Sequence, residues 1–187
     1  GSPMHHIMKW IKTFMHEYKD AKIAVISPCY AKKREFDEIG LGDYNVTIKS
    51  LEKYFEENEI NLDSFSKIEY DNPPAERAVS YSTPGGLMRT AQRFVPGVSE
   101  ITRKIEGHPQ VFDYLAHLSK SIKKGDSPVF QLVDCLNCDR GCNGGPATSN
   151  RHKHLDEVEG FIERRIQKQK ILAGKKNKPV TEKDMNK

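Results

Sequence analysis

The spacing of apolar residues along the chain predicts alternating helices and short strands. Apolar positions recur at helical intervals in several segments, whereas two short runs rich in β-branched residues are typical of buried strands. The predicted helices are residues 3–18, Thr47–Glu59, Leu87–Phe94, a segment opened by His108-Pro109 and ended by Gly125, and residues 150–172. The clearest predicted strands are Ala21–Ser27 and Pro128–Asp134. Weaker strand patterns occur at Ser66–Tyr70, Val79–Gly86 and Ser99–Ile105. Asp71–Pro74 interrupts regular structure. This order of elements predicts an α/β protein.

The two clearest strands are each followed by a cysteine. Cys29 lies just past Ala21–Ser27, and Cys135 lies just past Pro128–Asp134. Ligands of open α/β sheets collect at the carboxyl ends of the strands. We therefore expect these two strand ends to meet at a shared pocket, with the sulfur atoms facing each other.

Three of the four cysteines form a Cys-x2-Cys-x3-Cys motif. They are Cys135, Cys138 and Cys142, and the glycine pair Gly144-Gly145 follows at once. Thiolates at short spacings hold iron–sulfur clusters, and zinc is also bound by four cysteines. Glycine lets the backbone turn tightly around a bulky inorganic group. With Cys29 as a distant fourth ligand, the motif predicts a four-thiolate site for an iron–sulfur cluster or, less favoured, for zinc.

Two further segments contain residues that could contact an anionic group. Charged residues of both signs follow Cys29, from Lys32 to Glu38, and on spacing alone we predict a solvent-exposed loop there. The alternative is that Lys32 supplies positive charge to an anionic centre at Cys29. Gly85-Gly86 precedes a predicted helix, where backbone amides can approach an anion, although a plain turn is the simpler interpretation.

Composition narrows the class of protein. The chain has 187 residues, a net charge of +4 and 36% hydrophobic residues, and it has neither a run long enough to span a membrane nor a signal peptide. Four cysteines are too few for a disulfide framework, so we expect a reducing, cytoplasmic compartment. The basic C-terminal region has no interleaved aromatic residues, which argues against nucleic-acid binding.

The same features predict the domain organisation. Residues 1–172 are predicted to form one domain, and residues 173–187 a flexible basic tail or linker. The chain begins with Gly1 rather than methionine, so we expect either an added leader or an incomplete fragment whose upstream residues are missing.

Three motifs, in the family's order, resemble those of the C-terminal domain of the iron-only hydrogenase large subunit. Ser27–Glu35 is similar to its signature Met-Pro-Cys-x-x-Lys-Lys-x-Glu, and Thr83–Met88 is similar to its Ala-Thr-Gly-Gly-Val-Met segment. Cys138–Gly145 is similar to Cys-x-x-Gly-Cys-x-x-Gly-Gly-Gly. The likeness runs from about Ile7 to Arg165.

The resemblance implies a fold, a cofactor and residue roles. The fold would be two α/β lobes with short, mostly parallel sheets flanked by helices and the cluster between the lobes. Cys29, Cys138 and Cys142 would ligate a 4Fe-4S cluster, and Cys142 would also bridge to a diiron subcluster. Lys32 would bind a cyanide ligand of that subcluster, and Glu35 would belong to a proton path. The glycines of the two glycine-rich motifs would line the cofactor: Gly85, Gly86, Gly144 and Gly145.

The chain also departs from the family pattern. No cysteine precedes Cys29, so the family's first cysteine signature is absent from this chain. Ser27 replaces methionine, Arg89 stands where glutamate is usual, and Cys135 is an additional cysteine. The sequences of these motifs are more similar to those of the divergent branch of the family, whose members are found beside sensory PAS domains, than to those of the catalytic hydrogenases.

Three functions follow as hypotheses. The first is a 4Fe-4S domain for redox sensing or electron transfer in an anaerobe, in which Cys135 completes the ligand set. Its expected partners are a ferredoxin-type domain or another redox partner, and a fused PAS domain. The second is hydrogen turnover after joining to a missing N-terminal part, since this fragment alone is expected to be inactive. The third is a structural zinc domain.

Overall fold

The computed structural model of the chain describes residues 2–68, 70 and 75–176. In chain order its elements begin with α1 Pro3–Phe14, β1 Ala24–Ser27, α2 Lys32–Ile39, β2 Tyr44–Thr47 and α3 Ile48–Glu57. The order continues with α4 Gly86–Ala91, β3 Thr102–Glu106, α5 Gln110–Lys123, β4 Leu132–Leu136 and α6 Leu155–Lys176. Short 3₁₀ segments lie between them: His16–Tyr18, Leu62–Ser64, Glu76–Ser82, Val98–Ile101, Cys142–Gly144 and Ser149–His152.

The chain divides into two compact units. The first unit comprises Gly1–Phe65 and Gly144–Arg151, and the second comprises Ser66–Asn143 and His152–Lys187. Each unit contains one two-stranded parallel sheet with helices around it. The predicted α/β class with short parallel sheets is therefore confirmed.

The first unit is built on β1 and β2. The register pairs Val25 with Asn45 and Ser27 with Thr47. Thr47 ends β2 and caps α3, because its hydroxyl oxygen accepts a hydrogen bond from the Ser50 amide at 3.1 Å. Met8 of α1 and Phe36 of α2 are almost fully buried and form the apolar centre of this unit.

The second unit is built on β3 and β4. The register pairs Lys104 with Asp134 and Ile105 with Cys135. Helix α4 packs against β4, α5 packs against β3, and α6 packs along the 3₁₀ segment Glu76–Ser82. The buried apolar side chains are Val98, Val111, Ile166 and Ala173.

Most predicted helices and both clear strands are confirmed, with shifted ends. Helix α6 begins at Leu155 and continues to Lys176, past the predicted end at residue 172. Residues 66–68 and 70 belong to no strand, and Glu69, Asp71–Pro74 and residues 177–187 lie outside the described residues. Among the described residues, no helix combines the length and the apolar character that crossing a membrane requires.

Two local predictions were wrong. Lys32–Ile39 is helix α2 rather than an exposed loop, because oppositely charged side chains pair one turn apart and Phe36 is buried. Gly40 then ends the helix in the left-handed conformation. The segment predicted as strand-like, Val79–Gly86, contains the end of a 3₁₀ segment and the start of α4.

A close backbone approach explains the second glycine of the Gly85-Gly86 pair. The Ser80 carbonyl accepts hydrogen bonds from the Thr83 amide at 2.9 Å and from the Thr83 hydroxyl at 2.6 Å. A Cβ atom added to Gly86 would lie 1.7 Å from that same carbonyl oxygen. Any side chain at this position would therefore displace the backbone.

We predict that Gly86→Ala lowers the free energy of unfolding by about 2–4 kcal/mol, because the turn must open to admit the methyl group. The measurement is urea unfolding followed by far-UV circular dichroism. Gly174→Ala is the matched control: nothing lies within 4 Å of its added Cβ. That control should be neutral or more stable by up to about 1 kcal/mol. Equal behaviour of the two variants would contradict the packing argument.

Candidate metal centre

Cys29 lies in a turn that follows β1 in the first unit. Its amide donates to the Ser27 hydroxyl oxygen at 3.3 Å, and its carbonyl accepts from the Asn45 side-chain amide at 2.9 Å. The Cys29 thiol is partly exposed. The predicted position of Cys29 just past the end of a strand is confirmed.

Lys32 and Glu35 form an ion pair in the first turn of α2, two residues after the Cys29–Tyr30 turn. The Lys32 ammonium donates to Glu35 Oε2 at 2.6 Å, and the Ser2 hydroxyl donates to the other carboxylate oxygen. Burial raises the pKa of Glu35, but the hydrogen bonds from Lys32 and Ser2 and the Lys32 charge together outweigh it. The pKa of this carboxyl therefore lies below its ordinary value.

Cys135 lies within β4 of the second unit rather than just past the strand end, and it follows a buried carboxylate. Asp134 is almost fully buried and accepts a hydrogen bond from the Met88 amide of α4 at 2.9 Å. Successive side chains of a strand point to opposite faces, so the Cys135 thiol points away from α4. Cys135 is exposed overall, yet burial of the sulfur raises its pKa, and the Asp134 charge raises that pKa further.

Cys138 and Cys142 bracket a tight turn beyond β4. The Gly141 amide donates to the Cys138 carbonyl at 2.9 Å, and Gly141 has a φ of 65°. A Cβ atom on Gly141 would lie 2.5 Å from the Ser82 carbonyl oxygen and 2.9 Å from Pro84 Cδ. The turn between the two cysteines therefore packs directly against the segment that leads into Gly85-Gly86.

The four candidate cofactor glycines have different surroundings. Gly85 precedes α4 with a φ of 75°, and Gly86 approaches the Ser80 carbonyl as described above. Gly144 ends the 3₁₀ segment Cys142–Gly144, and Gly145 is buried with its carbonyl bonded to the Thr148 amide and hydroxyl. Gly144 and Gly145 belong to the first unit, whereas Gly85 and Gly86 belong to the second.

A polar cavity of about 280 Å³ adjoins Gly85 in the second unit. Its charged wall contains two cations and two carboxylates: Arg89, Lys104, Glu159 and Glu163. Arg89 forms an ion pair with Glu163 of α6 and donates to the Thr83 hydroxyl at 3.4 Å. An arginine in this position, where the family pattern has glutamate, is thus matched by a carboxylate on the facing helix.

The donor chemistry fits a thiolate-ligated metal centre. The structure describes all four cysteines, and none of them is joined in a disulfide. Thiols are the ligands that iron–sulfur clusters and structural zinc prefer. Within the described residues, no three His, Cys, Asp or Glu side chains are gathered closely enough to hold a metal ion. The ligand set Cys29, Cys135, Cys138 and Cys142 stays a prediction.

Sequence reasoning missed two residues that hold these segments in place. Asn45 bonds to the Cys29 carbonyl from β2, and Asp134 bonds to the Met88 amide from β4. Asp134 did carry a signal, since it is the one acidic residue in the predicted strand Pro128–Asp134. Asn45 carried none, because the four-residue strand β2 runs directly into α3.

The lowered pKa of Glu35 makes part of the stability pH-dependent. Its contribution is present above the pKa of the unfolded carboxyl and is lost as the pH falls through the lower folded pKa. We predict that Glu35→Gln lowers the free energy of unfolding by about 1 kcal/mol at pH 7 and by much less at pH 3. Urea titrations at both pH values measure this. Glu38→Gln, on the exposed Arg34–Glu38 pair, is the control. A difference that is the same at both pH values would contradict the prediction.

Comparison with known proteins identifies the family. No curated protein matches the chain. The family model for the C-terminal domain of the iron only hydrogenase large subunit matches residues 1–146 of the 187. The matched region includes Cys29, the Gly85-Gly86 segment and the three clustered cysteines. The chain therefore belongs to the family formed by the C-terminal domains of iron-only hydrogenase large subunits.

Proposed function

We propose that this domain binds a 4Fe-4S cluster through Cys29, Cys135, Cys138 and Cys142 and serves in redox sensing or electron transfer. The observation that carries the proposal is that every cysteine of the chain lies in or beside a signature segment of an iron hydrogenase family, with no disulfide among them. When bound, such a cluster supplies a one-electron redox couple.

The residues of the chain have distinct tasks in this proposal. The turn between Cys138 and Cys142 packs closely against Ser82 and Pro84, which limits the directions in which these two thiols can point. Asp134 anchors the strand that carries Cys135 to α4 through the Met88 amide. Rigid presentation lowers the entropy that is lost when ligands are ordered around a cofactor.

The proposal includes partners that exchange electrons with the domain. In this proposal the cluster receives and passes on single electrons, so we propose a ferredoxin-type domain or another redox protein as the partner. A fused PAS domain would convert the oxidation state of the cluster into a signal. Both partners follow from the likeness of the motifs to the sensory branch of the family.

We predict that the chain reconstituted without oxygen binds about four iron and four sulfide per chain and gives a cubane EPR signal after reduction. Cys29→Ser, Cys138→Ser and Cys142→Ser should each lose most of the bound iron, because one thiolate is removed from the set. Cys135→Ser tests whether the additional cysteine is the fourth ligand, and we expect it to lose iron as well.

Ser64→Ala serves as the handling control for this experiment, since it alters an exposed hydroxyl far from any cysteine in sequence. It should bind as much iron and sulfide as the unaltered chain. Stoichiometric zinc without acid-labile sulfide would contradict the proposal and favour the structural zinc domain. Absence of any cubane signal would contradict it as well.

A second candidate function, hydrogen turnover, is favoured by one observation. The Glu35 carboxylate accepts a hydrogen bond from Lys32 Nζ at 2.6 Å on the helix that follows Cys29. The ion pair therefore holds a carboxylate in place at the position that the resemblance assigns to a proton path, and general acid–base steps need such a positioned group. Cys142 is the third residue with a proposed catalytic role.

If the second candidate is right, the full-length protein, loaded with the cluster and treated with the diiron cofactor, evolves hydrogen from a chemical reductant. Glu35→Gln should then lower the rate by about a hundredfold or more, because the proton acceptor is lost. Asp37→Asn is the matched control, since Asp37 pairs with Lys33 on the exposed side of the same helix. No hydrogen from the full-length protein with a full cluster would reject this candidate and leave the first one standing.

A further inference from the structure

A small polar network on one face of the β1–β2 sheet holds the Cys29 peptide. Val25 pairs with Asn45 in the register, so Asn45 and Ser27, two residues along from Val25, lie on the same face. The Ser27 hydroxyl oxygen lies 2.6 Å from Asn45 Oδ1 and 3.0 Å from the Cys29 carbonyl oxygen. The Asn45 Nδ2 group donates to the same Cys29 carbonyl at 2.9 Å.

The Ser27 hydroxyl and the Asn45 side-chain amide both lie within hydrogen-bonding distance of the Cys29 carbonyl. The Ser27 hydroxyl has one hydrogen, and it can donate to Asn45 or to Cys29 but not to both. The distance to Asn45 is shorter, so the Ser27 proton goes to Asn45 Oδ1. The Asn45 amide is then the donor that holds the Cys29 carbonyl. Ser27 is 3% exposed, so its hydroxyl depends on these two acceptors rather than on water.

The neighbouring backbone groups hold the Cys29 peptide less firmly by hydrogen bonds. Pro28 has no backbone N–H to donate, so it cannot brace the turn with a hydrogen bond of its own. The Cys29 amide is bonded only loosely, at 3.3 Å, to the Ser27 hydroxyl oxygen. The direction of the Cys29 side chain follows from the orientation of the two peptide groups that flank its Cα atom. Asn45 fixes the peptide group that contains the Cys29 carbonyl.

We propose that Asn45 is a positioning residue that sets the direction of the Cys29 thiol, with Ser27 as its hydrogen-bonded support. This inference rests on the proposed function, in which Cys29 is a cluster ligand. Ser27 stands where the family signature has methionine, and a methionine has no hydroxyl with which to orient the Asn45 amide. In this chain hydrogen bonding between two strands thus orders the turn.

The first test uses the protein without cluster. Asn45→Ala should increase the rate at which iodoacetamide alkylates Cys29 about fivefold, because a hydrogen bond of about 1 kcal/mol no longer holds the turn. Peptide mass spectrometry measures the rate for each cysteine, and Cys138 in the same sample is the internal reference. Asn58→Ala is the matched control: its Nδ2 group donates to the Tyr54 carbonyl at 2.8 Å elsewhere in the first unit.

The second test uses the reconstituted protein and the rate of iron loss to a chelator. Asn45→Ala should lose iron about fivefold faster than the unaltered chain, whereas Asn58→Ala should not differ from it. Ser27→Ala removes the support of Asn45 together with the acceptor of the Cys29 amide, and it should also accelerate both reactions. If Asn45→Ala does not fold by circular dichroism, Asn45→Asp, which keeps Oδ1 and loses the Nδ2 donor, takes its place in both tests.

The outcomes separate this inference from the proposed function. Faster alkylation and faster iron loss in the Asn45 variant support the positioning role. If Asn45→Ala and Asn58→Ala behave alike in both tests while the unaltered chain binds a full cluster, the positioning role is overturned and the proposed function stands. If the unaltered chain binds no cluster, the proposed function fails, and an unchanged alkylation rate of Cys29 then overturns the positioning role as well.

Discussion

Hydrogen bonds from buried and half-buried polar side chains to the backbone of the signature segments are the interaction on which this structure depends. A buried polar group must find a partner or lose the free energy of its hydration. In the first unit Ser27 and Asn45 satisfy this requirement on the Cys29 peptide, and in the second Asp134 satisfies it on the Met88 amide. In the first unit a strand residue is hydrogen-bonded to the turn that contains Cys29, and in the second a strand residue is hydrogen-bonded to the helix that follows Gly85. The packing of each sheet therefore also fixes the geometry of its candidate ligands.

The glycines of the signatures have a structural reason that is independent of any cofactor. Gly86 and Gly141 both lie against backbone carbonyls at distances that exclude a side chain. Gly141 lets the turn after β4 contact the segment before α4, and Gly86 lets that segment fold back on its own Ser80 carbonyl. The contacts of Gly141 also hold the turn between Cys138 and Cys142 in place, which would favour binding of a cofactor by these two thiols. Glycine in these motifs is thus explained first by the close approach of two pieces of backbone.

The departures from the family pattern are matched by partners within the chain. Arg89 pairs with Glu163, which lies on α6 and outside the region that the family model matches. Ser27 is matched by Asn45 on the neighbouring strand. At both positions the polar side chain has a partner within the chain. The partner of Ser27 matters more for stability, because Ser27 is buried and an unpaired buried hydroxyl is costly.

The amino-acid pattern by itself determined the α/β class, the two clear strands, the family and the thiol character of the candidate site. Periodicity and motif spacing are local properties, so they can be read without coordinates. It did not determine α2, where charges suggested a loop, because the burial of Phe36 and the pairing of charges one turn apart outweighed the polar composition. Nor did it determine β2 or the role of Asn45, since a four-residue strand is stabilised by its neighbour rather than by its own sequence. Only the tertiary structure decided which polar side chain holds the Cys29 peptide, because that contact joins a residue of β2 to the turn after β1, sixteen positions earlier along the chain.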